Sequence, residues 1–233
     1  MHDAARIASY IDHTCLKPDA RTQDIERLCQ EARFYGFAAV CVMPVYVEPA
    51  ADFLKGTSVR VCTVAGFPLG AHYPGTKAGE AQSAAQRGAS EVDMVIQIGA
   101  LKDHRDSWVE ADIRAVVDAC RLHQARVKVI LETGLLSPEE KKRAVNLAVR
   151  AGAAYVKTST GTGYGGAEIE DVCLFRKWLR GTGVGIKASG GIRSLDEMLR
   201  FIEAGASRIG TSAAVSMMQA VAMVSRQRDR EPT

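Results

Sequence analysis

Apolar positions along this chain follow two rhythms that take turns. Short runs that are apolar at nearly every position lie around Ile7–Ile11, Ala38–Val42, Val59–Val64, Val92–Ile98, Val127–Leu131, Tyr155–Lys157, Val184–Lys187 and Arg208–Gly210. Between them, Gln23–Tyr35, Thr76–Gln86, Trp108–His123, Pro138–Arg150, Ile169–Leu179 and Leu195–Glu203 carry apolar residues at helical spacing. Strands that are apolar throughout, rather than at every second residue, are covered on both faces, which predicts a parallel sheet flanked by helices. Ser137-Pro138-Glu139-Glu140 and Ser194-Leu195-Asp196-Glu197 supply helix starts, and Ala-Gly-Ala at 151–153 and 204–206 supplies helix ends.

About eight such strand–helix units, with no linker or shift in composition between them, predict one domain over residues 1–233. The architecture expected is a single (β/α)8 barrel, with a doubly wound open sheet as the alternative. A short helix at the N-terminus and a polar tail from about residue 225 complete the reading. Ala213–Val224 is apolar but far short of the ~20 residues of a membrane span, so it reads as a packing helix.

Composition removes several function classes. At 47% hydrophobic and 24% charged, the chain can bury a sizeable core and is not of a disordered class. A net charge of +3, with no alternation of aromatic and basic residues, argues against a nucleic-acid partner. The six cysteines, at 15, 29, 41, 62, 120 and 173, form no Cys-x-x-Cys pair, and the N-terminus lacks the apolar stretch of a signal peptide. A reducing, cytoplasmic setting is therefore expected.

The chemistry is carried by two lysines, Lys157 in Ala-Tyr-Val-Lys157-Thr-Ser-Thr-Gly and Lys187 in Gly-Ile-Lys187-Ala-Ser-Gly-Gly. A charge inside an apolar run is costly to bury, and two in the same setting call for a chemical explanation rather than two solvated strand ends. Schiff-base catalysis needs one neutral amine and one nearby cation. An ammonium ~4 Å away at an effective dielectric of ~20 contributes about 4 kcal/mol, or roughly three pKa units, enough to make an amine available for attack on a carbonyl.

Other residues fall at predicted strand ends in the same register. Asp12-His13-Thr14 ends the first strand, Cys41 the second, and Glu132 the fifth, while Asp93 is an acid inside the apolar fourth strand, where it can act as a proton shuttle or as a partner for a lysine. In a barrel, phosphate is held by the loops after strands seven and eight, here Ser189-Gly190-Gly191 and Thr211-Ser212. His2, His13, His72, His104 and His123 show no ligand spacing, and only His13 is placed near the site, so neither metal nor cofactor is expected.

The stretches Ile-Asp12-His13-Thr14-Cys-Leu-Lys17-Pro, Ala-Gly-Phe-Pro-Leu-Gly at 65–70, Glu-Val-Asp93-Met-Val-Ile, Lys-Val-Ile-Leu-Glu132-Thr, Val-Lys157-Thr-Ser-Thr-Gly161 and Ile-Lys187-Ala-Ser-Gly-Gly-Ile-Arg193 closely resemble the deoxyribose-phosphate aldolases. The resemblance runs from about residue 7 to about residue 215. It implies a class I aldolase on a barrel that interconverts 2-deoxy-D-ribose 5-phosphate with glyceraldehyde 3-phosphate and acetaldehyde. By that resemblance Lys157 forms the Schiff base, Lys187 is the cation that tunes it and exchanges protons, Asp93 is the proton donor and acceptor, and Asp12 belongs to the proton network. Gly161, Gly190, Gly191, Gly210 and Ser212 fall where the family binds phosphate, and the family suggests a homodimer or larger assembly. Gln97, Met43 and Thr162 depart from common family patterns in or near the pocket, and no tyrosine follows Tyr164 to match the C-terminal tyrosine of some members. A different sugar-phosphate lyase or isomerase, or a non-catalytic phosphate-binding protein, are the competing classes.

Overall fold

A computed structural model describes residues 4–228 and shows a closed parallel barrel whose strands are ordered as in the sequence. The strands are β1 (Ile11–Cys15), β2 (Ala39–Val42), β3 (Arg60–Ala65), β4 (Glu91–Val95), β5 (Arg126–Ile130), β6 (Tyr155–Lys157), β7 (Gly185–Ser189) and β8 (Arg208–Thr211). The helices are α1 (Ala4–Ala8), α2 (Thr22–Tyr35), α3 (Val47–Phe53), α4 (Pro74–Gln86), α5 (Ile98–Lys102), α6 (Asp106–Arg121), α7 (Pro138–Arg150), α8 (Ile169–Trp178), α9 (Leu195–Ala204) and α10 (Ala214–Arg228). Closure comes from β8 pairing with β1, which excludes the open sheet.

Both serine caps form as the sequence predicts, Ser137 accepting from Glu140 N and Ser194 from Glu197 N, each in a reciprocal capping box. Other boundaries move. The first strand begins at Ile11 rather than Ile7, because Ile7 and Ala8 belong to the Ala-rich α1 and are buried from it. Ile98 starts α5 instead of ending β4, with Gln97 Oε1 accepting from Ala100 N at 2.6 Å as its N-cap. Helix α3 is absent from the sequence reading; its Pro49 lies in the first turn, where a missing N–H costs nothing. Helix α10 continues to Arg228, so the tail expected from about 225 begins as helix, and residues 229–233 lie outside the described residues. Among the described residues, no helix is long and apolar enough to cross a membrane.

The core has two parts. The larger lies between barrel and helices, where outward strand residues such as Val92, Met94 and Val129 meet helix residues such as Ile113, Val116 and Val145. The smaller is a separate cluster of Ala39, Cys41, Cys62 and Val64 from β2 and β3, with Leu16, Met43 and Phe67 packed on it.

One ion pair stands apart from the barrel centre. Lys77 of α4 is wholly buried and donates to Asp112 Oδ2 of α6 at 2.7 Å and to the Val95 carbonyl at the end of β4 at 2.9 Å. Burial pulls the Lys77 ammonium below its ordinary range and pushes the Asp112 carboxyl above its own, so the pair survives only as a pair. Lys77→Met, which leaves the carboxylate buried alone, is expected to destabilise the fold by about 3–5 kcal/mol, with most of that recovered in Lys77→Met/Asp112→Leu. Urea midpoints of the three proteins measure this, and a single variant as stable as wild type would show that the pair is not needed.

Candidate active site

Alternation along a strand sends residues i and i+2 to the same face. Glu91 and Asp93 of β4 therefore share a face, and both are fully buried. Lys157 and Lys187 are register partners on β6 and β7, so they leave the sheet side by side, their backbones about 4.8 Å apart. Asp93 and Lys128 are partners on β4 and β5, and Lys187 and Arg208 on β7 and β8.

These side chains close a ring of alternating charge. Asp93 Oδ2 accepts from Lys187 Nζ at 2.6 Å, and Lys187 also donates to Asp12 Oδ2 at 2.5 Å. Asp12 Oδ1 accepts from Arg208 at 2.6 Å, and Arg208 donates on to Glu91 Oε2 at 3.0 Å. Lys128 Nζ lies 2.7 Å from Glu91 Oε2 and donates to Asp93 Oδ1 at 2.9 Å, which completes the circuit. Each member touches two groups of opposite sign. Lys157 is attached from outside, donating to Asp93 Oδ2 at 2.8 Å.

The ring determines charge states. Burial works to raise the Asp93 carboxyl, but Lys128, Lys157 and Lys187 hold it well below the usual carboxylate range. Asp12, opposed by the same burial, is held low by Lys187, Lys128 and Arg208, and Glu91 is held below its ordinary range mainly by Lys128. Burial favours the neutral amine at Lys187, yet Asp12 and Asp93 lift it above the ordinary lysine value, and Asp93 does the same for Lys128. The expectation of two ammonium groups repelling each other directly is thus amended: a carboxylate oxygen lies between the lysines and accepts from both.

Lys157 opens onto a cleft of about 350 Å³ at the C-terminal ends of the strands. Gly161, Gly190, Gly191, Gly210 and Ser212 all line it, so the structure brings the sequence-predicted loop residues together. Their loops are tied to one another: Ser189 Oγ donates to the Ser159 carbonyl at 2.7 Å, and Thr211 Oγ1 to the Ile192 carbonyl at 2.8 Å. Ala167 N donates to the Gly190 carbonyl at 2.9 Å, a close approach in which a Cβ on Gly166 would stand 2.6 Å from that oxygen.

Several placements differ from expectation. His13 is not beside the lysines; it sits on the opposite face of β1 from Asp12, with Nε2 2.6 Å from Glu31 of α2 and its ring edge on Phe37. Glu132 turns towards the β6 loop in a left-handed conformation (φ 56°), where its carboxylate accepts from Thr160 N and Oγ1. Gln97 caps α5 and Met43 packs on the small barrel core, whereas Thr162 lines the cleft. Lys128, Arg208 and Glu91 were given no role by the sequence reading, although Lys128 and Glu91 carried the same signal as Lys157, a charge within an apolar strand. Lys17 and Arg193, also unassigned, line the cleft and are its further cations.

The model of the DeoC/LacD family aldolases matches residues 6–220. The chain belongs to this aldolase family. It is 58% identical over 213 residues to the deoxyribose-phosphate aldolase of Geobacillus sp. (strain WCH70), covering 91% of this chain and 95% of that one. The Bacillus subtilis (strain 168) deoxyribose-phosphate aldolase is 57% identical over 213 residues, with the same coverage of 91% and 95%. A tetrameric deoxyribose phosphate aldolase structure from Aeropyrum pernix superposes with a TM-score of 0.89 at 34% identity, covering 96% of this aldolase and 94% of that chain.

The ring makes the aldolase's stability depend on pH at both extremes. Asp12, Glu91 and Asp93 have lowered folded values, so their contribution is complete above the unfolded value of ~4 and is lost as pH falls through the folded values. Lys128 and Lys187 have raised folded values, so theirs is complete below ~10.4 and is lost as pH rises through the folded values. A plateau in urea midpoint from about pH 5 to about pH 10, falling on both sides, is expected. A midpoint that declines steadily between pH 8 and pH 5 would contradict a ring that is fully ionised across that span.

Proposed function

We propose that this chain cleaves 2-deoxy-D-ribose 5-phosphate reversibly into D-glyceraldehyde 3-phosphate and acetaldehyde, with Lys157 forming a Schiff base to the substrate aldehyde. The observation that carries the reading is the position of Lys157. It is joined to the ring through one oxygen of Asp93 and faces the cleft, while Lys187 and Lys128 are held behind it as permanent cations. The three buried carboxylates are held within the barrel by Lys128, Lys187 and Arg208, with Arg126 also on Glu91 at 2.7 Å, so Lys157 is the lysine that the ring does not enclose. The amine is then the nucleophile that class I chemistry needs.

The steps follow from the charges. Nζ of Lys157 attacks the C1 carbonyl, and water leaves to give an iminium. The C3 hydroxyl loses its proton, the C2–C3 bond breaks, and its electron pair enters the iminium as an enamine while glyceraldehyde 3-phosphate departs. Protonation at C2 and hydrolysis release acetaldehyde and the amine. Asp93 starts ionised, so it acts first as acceptor, and Lys187, protonated and bonded to the same oxygen, is the matching donor. Asp12 holds Lys187 from the other side and is a positioning residue.

Phosphate belongs at the far end of the cleft. Gly161, Gly190, Gly191, Gly210 and Ser212 line it there, α9 and α10 begin within two residues of Arg193 and Ser212, and Arg193 and Lys17 add charge. No cofactor enters this scheme. An assembly of two or more copies, in the cytoplasm, completes the reading; the tetramer of the Aeropyrum pernix relative supports the first part and six free cysteines the second.

Borohydride added with substrate should fix an adduct on Lys157 in peptide maps, and Lys187→Leu tests the reason. Leucine there removes the ammonium that shares Asp93 Oδ2 with Lys157, so trapping at pH 7 should fall by roughly 10-fold or more, with part of it returning at alkaline pH. An adduct on another lysine would overturn the assignment, and an unshifted pH profile in a folded variant would remove the role of Lys187.

The phosphate end has its own test. Because its donors do not touch the reacting carbons, unphosphorylated 2-deoxyribose should react with kcat/KM lower by roughly 10²-fold or more, and Arg193→Ala should narrow that gap. Equal kcat/KM on both sugars would remove the phosphate assignment.

A further inference from the structure

Beside the ring, on β2 and β3, the barrel centre holds two thiols, and Lys128 Nζ donates to the Cys62 sulfur at 3.1 Å. Cys41 of β2 and Cys62 of β3 are register partners, both fully buried, and face the barrel interior with Ala39 and Val64. The Cys62 thiol donates to Asp93 Oδ1 at 3.1 Å, on the opposite side of that carboxylate from the oxygen shared by Lys157 and Lys187. The two sulfurs and an Asp93 oxygen lie within 4.8 Å of one another. Two sulfurs on one tetrahedral zinc are about 3.8 Å apart, given Zn–S bonds of ~2.3 Å, so small side-chain adjustments bring these three donors onto a common ion. We propose that Cys41, Cys62 and Asp93 form a binding site for a soft divalent metal ion such as Zn²⁺ or Cd²⁺, reached from the catalytic cleft, and that its occupancy arrests turnover.

Two thiolates and a carboxylate match the preferences of these ions, with a fourth position left for water. Lys128 donates to both Cys62 Sγ and Asp93 Oδ1, so the ion takes the place on Oδ1 that the Cys62 S–H holds and leaves the Lys128 bonds to a thiolate and a carboxylate. In the exchange, M²⁺ enters and forms two M–S bonds while both thiols release their protons, so two positive charges replace two and the ring keeps its balance. The neighbouring Cys62 side chain draws the Cys41 thiol below its ordinary range, while burial pushes the Cys62 thiol up. Leu16 and Phe67 pack on the thiol cluster and also line the cleft, which makes them the partition between the two. The arrest rests on the proposed function: a metal bound to Asp93 occupies the carboxylate that must accept a proton.

The probe is Cd²⁺, titrated into metal-free enzyme in a phosphine reductant and followed by its ultraviolet thiolate-to-cadmium charge-transfer band. Wild type and Cys173→Ser, which lacks the exposed cysteine, are expected to show the same saturable component. Cys41→Ala and Cys62→Ala should each lose it, with apparent affinity down by roughly 10²-fold or more. Release of two protons predicts an affinity that rises about 100-fold per pH unit while both thiols remain protonated. The groups facing those thiols are Asp93 on β4, Lys128 on β5, Lys157 on β6 and Lys187 on β7, with Asp12 of β1 and Glu91 also near Cys62. A band that persists in both single variants, or no band in wild type, overturns the site. A wild-type band with unimpaired turnover overturns the arrest. Borohydride trapping at Lys157 in the metal-free sample tests the aldolase reading separately, since it does not depend on cadmium.

Discussion

Charge alternation around a closed ring is the constraint on which this molecule depends. Each of Asp93, Lys187, Asp12, Arg208, Glu91 and Lys128 is buried, and each would cost several kcal/mol if left alone in the barrel. Every one of them instead has a neighbour of opposite sign on both sides. The ring is possible because parallel strands place partners about 4.8 Å apart and the barrel brings β8 back to β1. An open sheet would leave Arg208 far from Asp12, and the circuit would not close.

A ring of this kind sets the charge of each of its members. It holds Asp93 ionised and Lys187 protonated, the states that the proposed acceptor and donor roles require. Lys157 differs from its neighbours only in being attached at one point and in facing the cleft. Gly210 contributes by having no side chain, since a Cβ there would meet Lys187 Cε at 3.0 Å and displace the ammonium from its two carboxylates. Above the ring, Thr211, Ser189 and Glu132 tie the loops at the mouth of the cleft to one another.

Much of the architecture was legible because it depends on local pattern. Helices such as α7 and α9 announce themselves through Ser137 and Ser194, whose caps need only the next three residues. Errors fell where local pattern is ambiguous. Ile7–Ile11 is apolar enough for a strand, but Ala4–Ala8 forms a helix that packs against α10 at the end of the chain, a contact remote in sequence.

The sequence by itself determined the alternation of strands and helices, the family, and the identities of Lys157, Lys187 and Asp93 as charges in apolar strands. It could not say what those charges are bonded to. Lys128 and Glu91 carry the same one-dimensional signal as Lys157, and Cys41 and Cys62 look like ordinary core residues. Only the tertiary structure separates them, because hydrogen bonding and Coulomb interaction act over about 3–4 Å in space. Asp12 and Arg208, 196 residues apart in the chain, become neighbours at 2.6 Å when the barrel closes. That closure decides which lysine is clamped as a cation within the ring and which one faces the cleft.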